Sequence, residues 1–60
     1  MKGKIVKKVK TAEGAARVIE DWMGFYHVQV THGKSYRVLK SYLSKAEAEA
    51  LLLELKVKDN

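Results

Sequence analysis

Two rhythms of apolar residues divide the chain. From Phe25 to Leu43 they recur at about every second position, and beyond Leu43 they follow a three-and-four spacing. A period of two is that of a half-buried strand, and a period near 3.6 that of a helix. In Phe25–Thr31, Tyr26, Val28 and Val30 point one way, and Phe25, His27, Gln29 and Thr31 the other. Ser35–Leu43 reads as a returning strand, with Tyr36, Val38 and Tyr42 on the face that also holds Lys40, and Arg37, Leu39, Ser41 and Leu43 on the other. Gly33, in the turn Thr31-His32-Gly33-Lys34, can supply the positive φ a hairpin needs. A three-residue loop of Thr31, His32 and Gly33 would pair Val28 with Tyr36 and Tyr26 with Val38, collecting the β-branched and aromatic residues on one face. A two-residue Gly33-Lys34 loop would instead set Val28 beside Leu39 and Val30 beside Arg37. The first register is the expected one.

Ser44-Lys45-Ala46-Glu47 is a capping box, in which hydroxyl and carboxylate each bond the other residue's amide. Good helix formers follow to about Lys56. Ala48, Leu51, Leu52 and Leu55 form one stripe and Ala46, Ala50, Leu53 and Val57 a second, which is more apolar surface than one sheet face needs. Leu53 is therefore expected against another helix, or at a dimer contact.

The first 24 residues show both rhythms less cleanly. Lys4–Lys10 alternates imperfectly around Ile5, Val6 and Val9 and predicts an edge strand. Thr11 suits an N-cap, Glu13 a first turn, and Ala15, Val18, Ile19 and Trp22 recur at helical spacing before Gly24. A helix over Ala12–Met23 is expected, with Gly14 costing it roughly 1 kcal/mol relative to Ala.

The order is then β-α-β-β-α. A right-handed crossover through the first helix makes the first two strands parallel, and the hairpin makes the third antiparallel to both. The expected fold is α+β: a three-stranded antiparallel sheet in the order 1-3-2 with both helices on one face, a split β-α-β arrangement whose last strand is missing or reduced to the Val57 region. The helices would cover Ile5, Val9, Tyr26, Val28, Val30, Tyr36 and Val38. The open face would carry Val6, Lys8, Lys10, Phe25, His27, Gln29, Arg37, Leu39, Ser41 and Leu43.

Composition and charge narrow the function. Sixty residues with 47% hydrophobic content make one small globular domain, residues 1–60, with flexible ends at 1–3 and 58–60. Without Cys there is neither disulfide nor thiolate metal site. No apolar run reaches the ~20 residues of a membrane helix, and the basic N-terminus lacks the apolar core of a signal peptide, so a soluble cytoplasmic protein is expected. Chains of this size are typical of small regulatory or accessory proteins, including those of phage and mobile elements.

The formal charge of +5 is unevenly spread. Residues 1–10 hold five Lys and no acid, Phe25–Leu43 hold Lys34, Arg37 and Lys40 and no acid, and six of the seven acids fall in the two expected helices. His27 and His32 have no third ligand for zinc. Glu20-Asp21 and Glu47-Glu49 sit one and two apart on expected helices, where such neighbours do not face each other. No Ser has a base and acid in reach by spacing, and Gly24 and Gly33 form no phosphate loop. The expectation is a non-enzymatic binding module without a cofactor.

Two partners fit the open face. Nucleic acid would meet Lys8, Lys10, Lys34, Arg37 and Lys40 at its phosphates, with Phe25 stacking, Gln29 and Arg37 at base edges, and His27 on the same binding face. Alternatively the apolar groups Phe25, Leu39 and Leu43 would bury against a second copy or a protein partner. Tyr36–Leu55, a basic strand followed by a helix opening Ser-Lys-Ala-Glu-Ala, resembles the strand-then-helix close of small three-stranded DNA-binding domains such as the arm-binding domains of phage-type integrases. The likeness covers a third of the chain, and the expected β-α start departs from that family.

Overall fold

In the computed structural model, which describes residues 3–57, Thr11 pairs with Gly14 across a two-residue turn of Ala12 and Glu13. That turn replaces the expected start of a helix. The chain runs as β1 (Lys4–Thr11), β2 (Gly14–Glu20), β3 (Tyr26–His32), β4 (Ser35–Leu43) and α1 (Lys45–Leu55). The four strands form one antiparallel sheet in the order β1-β2-β3-β4, every neighbour joined by a short hairpin. The expected three strands in the order 1-3-2 with two helices are therefore corrected to four strands and one helix. Sheet and helix still make an α+β domain. The expected flexible ends, apart from Gly3, lie outside the described residues.

The stretch read as a helix fits a strand for a physical reason. Ala16, Val18 and Glu20 alternate with Ala15, Arg17 and Ile19, so the segment satisfies a period of two as well as 3.6. Closing a two-residue hairpin onto β1 orders little chain, whereas the crossover needed long-range pairing before any contact formed. Gly14 has φ +153, outside the helical region, and the β-branched pair Val18-Ile19 favours the extended chain. Ala16 and Val18 are then buried under α1, opposite Val30 and Val28 of β3. Trp22 and Met23, expected at the end of the helix, stand exposed in the β2–β3 loop.

The β3–β4 register is that of the shorter loop: His32 pairs with Ser35 and Val30 with Arg37 across Gly33-Lys34, with Gly33 at φ +64. A Gly at positive φ in the first of two loop positions matches the twist of a hairpin, and this decides the register over apolar matching. Register shifts between Tyr26 and Val28 and between Val28 and Gln29 put extra residues into β4. They bring Leu43 opposite Tyr26 and against the core. Tyr36 and Val38 accordingly lie on the uncovered face, with Val38 53% exposed, whereas Arg37, Leu39 and Leu43 lie on the helix side. Ile5, paired with Ile19, is also on the uncovered face, and Val6 lines a cleft beside α1.

The helix begins as its sequence dictates. Ser44 Oγ accepts from the Glu47 amide at 3.2 Å, and Glu47 Oε1 accepts from the Ser44 amide at 3.0 Å. These bonds to Ser44 hold the Glu47 carboxyl below its ordinary range. Ala48 and Leu52 are the buried residues of α1 and join Ala16, Val18 and Val28 in the core. With no second helix beside it, Leu53 is 72% exposed. At the other end Lys56 turns extended, and the Val57 amide donates to the Lys10 carbonyl at 2.9 Å, pinning the chain after α1 to the edge of β1.

Candidate functional site

The strand alternation places Lys8 and Lys10 of β1, Arg17 and Ile19 of β2, and His27 and Gln29 of β3 on the face away from α1. Lys8 pairs with Arg17, and Arg17 with Gln29. Paired side chains on one face lie ~5 Å apart at Cβ, so the three make a row across the sheet. Arg17 is anchored within it. Its Nε donates to Gln29 Oε1 at 2.7 Å, and its guanidinium carbon lies 3.7 Å from the centre of the Tyr36 ring. A guanidinium over an aromatic face is attracted to the ring and loses little freedom on meeting a ligand.

A second cluster closes one end of the face. Tyr42 has φ +58, an uncommon conformation for a residue with a Cβ. Its ring packs edge-on against Phe25 at 5.5 Å and His27 at 5.1 Å between centroids, yet it stays 70% exposed. Below it, Asp21 organises the β2–β3 loop. Asp21 Oδ1 accepts from the amides of Met23 and Phe25, each at 2.9 Å, and Oδ2 accepts from His27 Nε2 at 2.8 Å. His27 Nδ1 in turn accepts from the Tyr42 amide at 3.4 Å, which assigns the Nε2–H tautomer. The loop that presents Trp22, 77% exposed, is thus tied to the strands by one carboxylate.

The hydrogen bond from His27, reinforced by the Phe25 and Met23 amides, holds the Asp21 carboxyl below its ordinary value of 3.8 despite partial desolvation. A depressed native pKa contributes stability above the unfolded value and loses it as pH falls through the native one. The melting-temperature gap between the wild type and Asp21→Asn is therefore expected to be full at pH 6 and to shrink steadily below pH ~4. A gap independent of pH in calorimetric scans would remove Asp21 as the titrating group.

The Glu residues are gathered on the helix side, among cations. Glu13 and Glu54 line a cleft on the helix side with Arg37, and Glu20 and Glu49 line another with Lys7 and Lys45. Lys40 pairs with Val28 and is close enough to Glu47 to help lower its pKa, so it too is on the helix side. Among the described residues no Lys or Arg side chain lies within 4.0 Å of a carboxylate, and the one contact of a basic side chain with an acid is the His27–Asp21 hydrogen bond. The open face therefore carries Lys8, Lys10 and Arg17 with no Glu.

Of the expected site residues, Lys8, Lys10, Phe25, His27 and Gln29 come together on this face. Lys34 sits in the β3–β4 turn, and Arg37 and Lys40 are on the opposite side. Phe25, Leu39 and Leu43 do not form the single apolar patch expected for a dimer, because Leu39 and Leu43 are turned to the helix side. Sequence reasoning missed Arg17, Asp21 and Trp22 by placing them in a helix, and Tyr36 and Tyr42 by taking the longer turn. The Gly-X pair at 33–34 and the alternation of 15–20 carried the missing signal.

Among the described residues no group of His, Asp or Glu could hold a metal ion, and no helix is long and apolar enough to cross a membrane. No protein-family model, curated protein or solved structure matches the chain.

Proposed function

We propose that the protein is a nucleic-acid-binding module acting through the open face of its sheet. The observation that carries this reading is the group Lys8, Lys10 and Arg17, unpaired with carboxylates among the described residues, on a face that also presents aromatic rings and the Gln29 amide. Cations that no carboxylate neutralises exchange their counterions for phosphates, a large source of affinity for nucleic acid. Gln29 keeps its amide nitrogen for a base edge while its oxygen holds Arg17. The helix face, with its Glu residues, would point away from the polyanion.

Fluorescence anisotropy with labelled oligonucleotides at 20–200 mM salt tests the reading. Binding is expected to weaken steeply with salt. Lys8→Gln is expected to weaken it about 10-fold at 50 mM and to reduce the slope of log K against log salt by about 0.7–0.9, one phosphate contact. No binding to any DNA or RNA at the lowest salt would end the proposal.

Exposed Ile5, Phe25, Val38 and Tyr42 on the same face support a second reading, a protein-interaction surface with the cations as its rim. A dimer in sedimentation velocity, broken by Val38→Asp and indifferent to oligonucleotide, would favour it.

A further inference from the structure

The open face is divided lengthwise. Its cations come from β1 and β2: Lys8 and Lys10 stand on β1, and the side chain of Arg17 reaches from β2 across Gln29 of β3 to the Tyr36 ring of β4. Its β3–β4 side presents Phe25, His27 and Tyr42 at one end and Tyr36 at the other, with Val38 between, and among the described residues neither β3 nor β4 contributes a Lys or Arg of its own to this face. Adjacent strands are ~4.8 Å apart, so the two halves are displaced by roughly 10 Å.

A duplex offers a groove flanked by two phosphate rows, and a sheet seated in it gains from cations along both margins. This face has Lys8 and Lys10 along the β1 margin alone, and the Arg17 guanidinium lies further in, over the Tyr36 ring. A single strand has one phosphate row, with bases free to leave their stack and lie on aromatic rings. Building on the nucleic-acid reading, we infer that the ligand is single-stranded nucleic acid, its backbone following Lys8 and Lys10 and its bases lying over β3, β4 and the Arg17 guanidinium.

The aromatic cluster suits that role. Tyr42 is kept on the open face by a left-handed backbone and held against Phe25 and His27, so a base meets a ring whose position is already fixed. At the Tyr36 end, Arg17 covers the ring, and its guanidinium plane offers a stacking surface of its own. Trp22, the single Trp of the chain, stands exposed in the loop beside Phe25 and reports on this end of the face.

The experiment compares labelled 15-mers of dT and of rU with a 15-base-pair DNA duplex at 50 mM salt, using wild type, Phe25→Leu and Tyr42→Leu. Binding to either single strand at least 10-fold tighter than to the duplex is expected, with Trp22 fluorescence quenched as the strand is added. The two single-strand arms separate DNA from RNA. Each aromatic replacement is expected to cost about 10-fold on the single strand, the loss of one stacked base, and nothing on the duplex. Circular dichroism melts confirm that the variants fold, and quenching in the wild type needs no variant. Duplex binding as tight as single-strand binding, or single-strand affinity unmoved by both replacements, overturns the inference while leaving nucleic-acid binding intact. Binding to none of the three ligands overturns both.

Discussion

Leu52→Ala is expected to leave the protein largely unfolded at 37 °C. Leu52 is 1% exposed and is among the largest fully buried side chains. The buried core consists of Leu52, Ala16, Val18, Val28 and Ala48, so two of its five members are already Ala. Cutting a buried Leu to Ala costs about 2–5 kcal/mol, more where the site cannot collapse. The sheet beneath is held by three hairpins and cannot close over the space. A domain of this length has about 3–9 kcal/mol of total stability. The loss corresponds to a fall of at least ~10 °C in melting temperature, readable by circular dichroism. Leu53→Ala, one residue on and mostly exposed, is expected to stay within about 0.5 kcal/mol of wild type. Equal effects of the two replacements would mean that α1 does not pack through Leu52.

Gly14→Ala has an effect whose sign separates two architectures. In a helix over Ala12–Met23 the change would stabilise by roughly 1 kcal/mol. In the hairpin it is expected to destabilise by about 2–6 kcal/mol. Gly14 sits at φ +153, which a residue with a Cβ adopts only under strain of about 1–3 kcal/mol. A Cβ there would also collide with Thr31 Oγ1, which accepts from the Ala15 amide at 3.2 Å. Overpacking of that kind adds about 1–3 kcal/mol. Thr31→Ala in the Gly14→Ala background removes the collision but not the φ strain, so the double variant is expected to recover part of the loss. Chemical denaturation of the four proteins gives the cycle. A stabilised Gly14→Ala would restore the helix and discard β2.

Why the first third of the chain was misread follows from the same residues. The segment 14–20 is short, Ala-rich and consistent with either period, and a cap-like Thr11 with Glu13 tipped the reading to a helix. Tertiary burial of Ala16 and Val18 decides otherwise. Local signals that require no partner were legible: the capping box at Ser44, the strand Phe25–Thr31 and the turn glycine at 33. Lys8, Lys10, Phe25, His27 and Gln29 were grouped correctly because alternation along a strand does not depend on which strand lies beside it. Arg37, Leu39 and Leu43 were not, because their face depends on turn length and on register shifts that no periodicity records. Arg17, the anchored centre of the open face, became visible only once β2 was a strand.

A meander leaves two unpaired edges, and the chain treats them differently. Val57 bonds the Lys10 carbonyl of β1, closing part of one edge with the chain's own backbone. The other edge, β4, has no cover within the described residues, but its two register shifts and the left-handed turn at Tyr42 break the straight row of amides and carbonyls that a foreign strand would need. The same irregularities that set the aromatic cluster on the open face therefore leave β4 a poor template for edge-to-edge pairing with a second copy.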